Sequence, residues 1–323
     1  MKILVCGSSG FISGHLIKRL INDGHTVVGV DLVEPKYTQP SQFIQADLRY
    51  RDNFDYLLDG VDEVYQLACN MGGCQFIFTG DNDAEIMTSA MINLNLCDAL
   101  VKHKSKAKVF YSSSACMYPE HIQEQRSDTG LKESDWKPAG PDSEYGWEKL
   151  FSERLYLAYA RNYGLDVRIA RFHNIYGPEG TWSGGKEKAP ASISRKVAEA
   201  DRIVDCWGSG NQTRSFLYID DCLDAVQLLM NSDFKEPINI GSEEMVSILQ
   251  LWEMAIDISG KKIAINHVPM PKNHKGVQHR NSNNDLIREK LNWEPKHTLR
   301  EGMERLYRWI EFEVTKNTPY PIQ

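Results

Sequence analysis

Tyr145 and Lys149 stand four residues apart in Tyr-Gly-Trp-Glu-Lys, a spacing that puts a phenol and an ammonium on one face of a helix. An ammonium beside a phenol lowers its pKa from about 10 and makes it a usable base near neutrality. Upstream, Ser112, Ser113 and Ser114 close a β-rich run, where a hydroxyl can hold a substrate oxygen. A Tyr-x-x-x-Lys pair by itself is common and is, by default, a solvated helix pair. Behind a strand-end serine cluster and a glycine turn, it becomes a candidate for moving the proton of an alcohol.

The glycine turn is Gly7-Ser-Ser-Gly10, between a short apolar run at residues 2–6 and a segment in which Phe11, Ile12, Leu16, Ile17, Leu20 and Ile21 recur at helical spacing. Strand, glycine turn and helix in that order are the context a dinucleotide fingerprint requires. Gly7 permits the tight turn and Gly10 lets backbone N–H groups approach a pyrophosphate at the helix N-terminus. Gly7, Gly10, Phe11 and Ile12 are accordingly candidate cofactor contacts. Asp31 ends the second strand, where a carboxylate binds the ribose hydroxyls and repels a 2′-phosphate. The expected cofactor is NAD. Asp47, after the third strand, is a candidate contact for the adenine.

The elements that must position these residues alternate. Strands are expected at 2–6, 26–30, 43–46, 63–67, 108–112 and 167–171, and helices near 53–58, 86–102 and 143–162. Strands alternating with helices imply βαβ units and a parallel sheet, hence an α/β, Rossmann-type doubly wound fold. Beyond His173 the pattern becomes irregular, with loop-like Gly177-Pro-Glu-Gly180 and Ser183-Gly-Gly185. We therefore expect an NAD-binding domain over 1–172, joined by parts of 213–242, and a smaller mixed α/β substrate lobe, discontinuous, over 173–323. His173 itself reads as a satisfied strand-end histidine.

Composition sets the outer limits. The chain has 323 residues, 41% of them hydrophobic, with a formal charge of -7 and no basic tract. That argues against nucleic acid or an anionic membrane as partner, so an anionic ligand would be met by a few gathered Arg and Lys side chains. Seven scattered cysteines form neither a zinc pattern nor a disulfide framework, and no metal is expected. With no leader or long apolar run in view, a cytoplasmic location is expected.

The order of these motifs resembles the extended short-chain dehydrogenase/reductase family of nucleotide-sugar epimerases, over essentially the whole chain. The matching stretches include Asn70-Met-Gly-Gly73, Ser113-Ser-Ala-Cys-Met-Tyr-Pro119, Arg171-Phe-His-Asn-Ile-Tyr-Gly-Pro178, Gly184-Gly-Lys-Glu-Lys-Ala-Pro190, Gln212-Thr-Arg-Ser-Phe216 and Arg280-Asn-Ser282. Cys116 and Lys188 within them resemble the branch that inverts GDP-mannose at C3 and C5. The resemblance implies a GDP-hexose substrate, a tightly bound NAD and a homodimer formed through paired helices. It implies that Ser114, Tyr145 and Lys149 handle oxidation at C4, and that Cys116 and Lys188 are an acid/base pair. Asn174, Glu187, Lys196, Gln212, Arg214 and Arg280 are implied as substrate contacts, the two arginines suiting a pyrophosphate. Gly72 and Gly73 are expected to let the chain pass close to the sugar. Cys74-Gln75 after the double glycine departs from the family pattern, as does an extra residue near 81–85.

The chemistry explains why such residue types are needed. A C–H bond on a sugar ring is too weakly acidic for any side chain until C4 becomes a ketone, which acidifies both C3 and C5. Cys116, two residues past Ser114, is expected on the same side of an extended chain, beside that ketone. As thiolate it would take a proton, and Lys188, kept protonated by Glu187, would return one from the other ring face. Two alternatives stay open: a 4-epimerase, which needs no second acid/base pair, and a non-catalytic NAD(P) sensor, which needs no Tyr145/Lys149 pair.

Overall fold

The structure is a computed structural model in which residues 1–125, 129–270 and 276–315 are described. From the N-terminus, β1 (Lys2–Cys6), α1 (Phe11–Asn22), β2 (Thr26–Asp31), β3 (Gln42–Gln45), α2 (Phe54–Leu57) and β4 (Glu63–Gln66) follow one another. Then come α3 (Cys74–Phe78), α4 (Asp83–Met87), α5 (Ser89–Lys102), β5 (Lys108–Ser114), α6 (Glu144–Tyr163) and β6 (Val167–Phe172). The helix expected over 86–102 is broken at Thr88, whose hydroxyl donates to the Glu85 carbonyl at 2.6 Å. α3 lies in a stretch for which no element was expected.

The remaining elements are β7 (Ile175–Tyr176), α7 (Ala189–Glu199), β8 (Ile203–Trp207), β9 (Thr213–Ser215), β10 (Leu217–Tyr218), α8 (Ile219–Asn231) and β11 (Ile238–Ile240). They continue with β12 (Met245–Ser247), α9 (Ile248–Ser259), β13 (Ala264–Val268), β14 (His279–Arg280), α10 (Asp285–Leu291) and α11 (Leu299–Thr315). One seven-stranded sheet, in the order β3-β2-β1-β4-β5-β6-β11, is parallel throughout. Its central strands are buried on both faces, which is why they read as near-continuous apolar runs. Ile3 and Val5 enter one core while Leu4 and Cys6 enter the other, so helices cover both sides. The sheet is the Rossmann-type one that the alternating pattern predicts.

Strand order reverses where β1 meets β4, and the crevice beyond the carboxyl ends of these strands is the favoured ligand position of such sheets. Three small sheets stand beyond that edge: β7 with β10, β9 between β12 and β14, and β8 with β13. They carry loops 174–188, 207–216 and 276–284 toward the crevice. Among the described residues no helix is long and apolar enough to cross a membrane.

Candidate active site

A cavity of about 1020 Å³ opens at this crevice and runs from the turn after β1 to the β9–β14 sheet. Every candidate site residue lines it except Lys149. At one end, Gly7 has φ +76, and a Cβ there would stand 2.7 Å from the Ala68 Cα, so the turn excludes any other residue. The N-terminus of α1 carries no capping side chain and no acidic residue in its first turn, leaving its N–H groups for an anion. Asp31 accepts from the Ser9 and Leu32 backbone N–H groups at 3.0 and 2.7 Å, which pins its carboxylate at the end of β2. Asp47 is bound by Arg49 at 2.6 Å, and that hydrogen bond holds its carboxyl below the ordinary range. An uncapped helix start, a tight turn opened by Gly7 and closed by Gly10, and the fixed carboxylate of Asp31 together fit a dinucleotide.

Tyr145 lies at the middle of the cavity, in the first turn of α6. Ser143 caps that helix, its hydroxyl accepting from the Gly146 N–H at 3.3 Å. Burial pushes the Tyr145 phenol well above the ordinary tyrosine value, Cys69 and Cys116 add to the rise, and a hydrogen bond with Ser114 opposes it. The expected lowering by Lys149 is absent for a geometric reason. The Lys149 Nζ is 5.6 Å from the Tyr145 ring, donates to the Ser112 carbonyl at 3.0 Å and lies 3.9 Å from the Glu148 carboxylate. Glu148 is fully buried, taking hydrogen bonds from Asn93 at 3.0 Å and Ser152 at 2.6 Å, and Lys149 lies on that side of the helix, outside the cavity lining. Glu148 was invisible in the sequence because a glutamate one residue before a lysine on a helix is ordinarily solvated.

Ser114 ends β5, and the chain then enters a 3-10 turn at Ala115–Met117 rather than staying extended. The Ser114 hydroxyl accepts from the Cys116 N–H at 3.2 Å, and the turn, not strand alternation, sets the thiol's position. Arg280 donates to the Cys116 sulfur at 3.1 Å. Two further Arg280 nitrogens are taken by Gln123 at 2.6 Å and Asp142 at 3.0 Å, all well buried. Asp142 escaped sequence reading because an acid just before a helix looks like an ordinary partner of the helix dipole.

The other wall is the loop before α7. Its Glu187 takes the Gly185 N–H at 2.7 Å and pairs with Arg195 at 3.3 Å, not with Lys188. Among the described residues no ion pair reaches Lys188, and burial lowers its pKa below the ordinary lysine value. Gly73 explains how this loop is held: its N–H donates to the Lys186 carbonyl at 2.9 Å, and a Cβ would collide with the Glu187 carbonyl oxygen. Gly73 thus serves chain-to-chain packing, and both Gly72 and Gly73 line the cavity.

The far end is cationic. Lys186, Lys188, Arg195, Lys196, Arg214 and Arg280 all line it, in a chain whose formal charge is -7. Lys196 stands 5.1 Å from the Trp207 ring and 5.9 Å from the Trp252 ring. Arg214 donates to the Thr213, Gln278 and Val277 carbonyls, and burial with its neighbour Arg280 brings it down to about 10. Asn174 donates to the Ser215 carbonyl at 2.9 Å, and Gln212 faces the same space. His173 is buried behind the site, its Nε2 3.0 Å from the Asn239 side-chain oxygen, and burial holds it neutral with a pKa of about 3.

A parallel sheet with a dinucleotide turn, and a tyrosine and cysteine facing a cationic end, define a nucleotide-sugar-modifying enzyme of the short-chain dehydrogenase kind. The chain belongs to the NAD dependent epimerase/dehydratase family, which residues 3–241 match. It is 44% identical to the GDP-mannose 3,5-epimerase of Arabidopsis thaliana over 321 residues, 98% of this chain and 84% of the plant one. The GDP-mannose 3,5-epimerase 1 of Oryza sativa subsp. japonica is 41% identical over 98% of this chain and 83% of its own. Among solved structures, the Bacillus cereus UDP-glucuronic acid 4-epimerase in complex with UDP-glucuronic acid and NAD is 28% identical. It superposes with a TM-score of 0.82, covering 96% of this chain and 99% of that one.

Proposed function

We propose that this protein is an NAD-dependent isomerase that inverts C3 and C5 of GDP-mannose, giving GDP-L-galactose, GDP-L-gulose or both. The observation that carries the reading is the meeting of Cys116 and Lys188 in the cavity of Tyr145, in a chain 44% identical to a GDP-mannose 3,5-epimerase. When bound, NAD+ supplies a hydride acceptor at C4 and gives the hydride back afterwards. Gly7, Gly10, Phe11, Ile12, Asp31 and Asp47 would hold it.

Ser114 holds the C4 oxygen and Tyr145 takes its proton, while Lys149, held by the Ser112 carbonyl 5.6 Å from the phenol ring, adds positive charge behind that wall and makes no hydrogen bond to the phenol. Once C4 is a ketone, the Cys116 thiolate removes the hydrogen on the adjacent carbon and the electron pair spreads onto the ketone oxygen. Lys188 delivers a proton to the other face. Burial, with no carboxylate paired to Lys188 among the described residues, suits that task, since an ammonium with lowered pKa gives up its proton more readily. Gly73 keeps the Lys188 loop against this wall, and Gly72, Asn174, Glu187, Lys196, Gln212 and Arg214 shape the nucleotide-sugar end. The test is incubation of the purified protein with GDP-mannose and with UDP-sugars, products being identified by NMR. Inversion at C3 or C5 of the GDP-sugar is expected; inversion of a UDP-sugar at C4 alone overturns the reading.

The same proposal includes a homodimer and a cytoplasmic location. Met87, Met91 and Leu94 are exposed at intervals of four and three, and Trp147 and Phe151 at four, on neighbouring helices α4, α5 and α6. A second copy of that face would cover them. Phe151→Glu should halve the mass read by light scattering, and an unchanged mass removes the interface. All seven cysteines are free, which fits a reducing compartment and is checked by cell fractionation.

A further inference from the structure

Arg280 is engaged on all three guanidinium nitrogens: Nε meets Gln123 at 2.6 Å, one terminal nitrogen meets Asp142 at 3.0 Å, and the other meets the Cys116 sulfur at 3.1 Å. Asp142 and Arg280 side chains are 1% and 5% exposed, so the pair is desolvated and its geometry is fixed. Gln123 is locked in turn, donating to the Tyr118 and Pro119 carbonyls at 3.2 and 2.9 Å. A planar fork held at two corners can aim its third corner at one place only. That place is the thiol.

We propose that Asp142 and Gln123 are positioning residues that aim Arg280 at Cys116, so that the guanidinium balances the charge of the sulfur as a thiolate. The inference rests on the reading of Cys116 as the base in the proposed epimerisation. A charged donor strengthens a hydrogen bond and favours an anionic acceptor, and a thiolate, not a thiol, abstracts a proton. In that step the sulfur–hydrogen bond forms as the ring carbon–hydrogen bond breaks, and the bonding pair moves toward the C4 ketone. Arg280 keeps its own protons throughout. Among the described residues Asp142 is the carboxylate paired with Arg280, so the guanidinium serves two anions, one permanent and one created when Cys116 ionises. Arg214 faces the same cluster, but its two terminal nitrogens donate to three backbone carbonyls.

Alkylation by iodoacetamide reads the sulfur directly and needs no sugar, so it stands apart from the question of substrate. The rate is followed at the Cys116 peptide by mass spectrometry in the full-length protein at neutral pH. Arg280→Gln should slow it at least tenfold. Asp142→Asn keeps the shape of the pair and leaves the guanidinium with the sulfur as its anionic partner, so alkylation should hold or rise. Opposite responses of the two variants are what a charge-balancing role requires. Equal slowing in both, or no change in Arg280→Gln, overturns the proposal. Should Arg280→Gln fail to fold, Asp142→Asn alone decides, because slowed alkylation there contradicts the account. With GDP-mannose, Arg280→Gln should lower kcat at least tenfold with KM within threefold; a raised KM with unchanged kcat makes Arg280 a substrate anchor and sinks the positioning role. If no variant and not the wild type turns over GDP-mannose, the proposed function fails while the alkylation result still judges the clamp.

Discussion

The two ends of the cavity are built in different ways. At the β1–α1 end, the proposed recognition comes mainly from backbone: Gly7 at φ +76, an uncapped helix start and one carboxylate, Asp31, all within the first 31 residues. At the far end it comes from side chains: Cys116, Lys188, Arg214 and Arg280 arrive from four separate segments between residues 115 and 280. A backbone site needs a short stretch of chain with permitted φ and ψ angles, and a side-chain site needs the whole fold to be in place. Damage to the first should therefore show in cofactor affinity, and damage to the second in turnover with cofactor still held.

Paired glycine variants separate the two most sharply. Gly7→Ala combines a strained φ with a Cβ 2.7 Å from the Ala68 backbone, so NAD affinity should fall by two orders of magnitude or more, about 3 kcal/mol. Gly73→Ala has ordinary backbone angles but drives a methyl into the Glu187 carbonyl, displacing the Lys188 loop. It should lose at least tenfold in kcat with NAD affinity within twofold, measured by NAD titration and turnover side by side. Equal loss of NAD binding in both variants breaks the distinction. A smaller effect is expected of Asp31→Asn, which keeps the backbone hydrogen bonds but loses the charge. NAD should weaken about tenfold and NADP should gain relative to it, as one charge-assisted hydrogen bond of about 1.5 kcal/mol requires. Preference for NADP in the unaltered protein would remove Asp31 as the selector.

What could be read from the sequence divides along the same line. β1, the glycine turn, α1 and β2 were legible because strand periodicity, turn glycines and a strand-end Asp are local signals. α6 was legible as a helix near 143–162, and Tyr145 and Lys149 on it from their spacing. Residue types were recognisable at the far end too, since Cys116 and Lys188 sit in distinctive stretches. Their partners were not. Glu187 stands beside Lys188 in sequence yet turns to Arg195, and Asp142 meets Arg280 across 138 residues. Long-range pairs of that kind are decided by how β9, β14 and the loop before α7 fold over the sheet, and no window of sequence contains them. Glu148 was hidden for the same reason, because its burial against Asn93 and Ser152 depends on how α5 packs on α6.

The central claim is that the two ends cooperate: oxidation at C4, then proton exchange at C3 and C5 by Cys116 and Lys188. Turnover of GDP-mannose in D2O, with NMR of the recovered sugar nucleotides, tests it most directly. Wild-type protein should place deuterium at C3 and C5 and none at C4, where hydrogen leaves and returns as hydride. Cys116→Ala should still show NADH absorbance on adding GDP-mannose while ring-carbon exchange falls by about 10²- to 10⁴-fold, the usual contribution of a general base. A product inverted only at C4, with no deuterium at C3 or C5, would contradict the account and return Cys116 to the ordinary role of a small side chain lining the pocket.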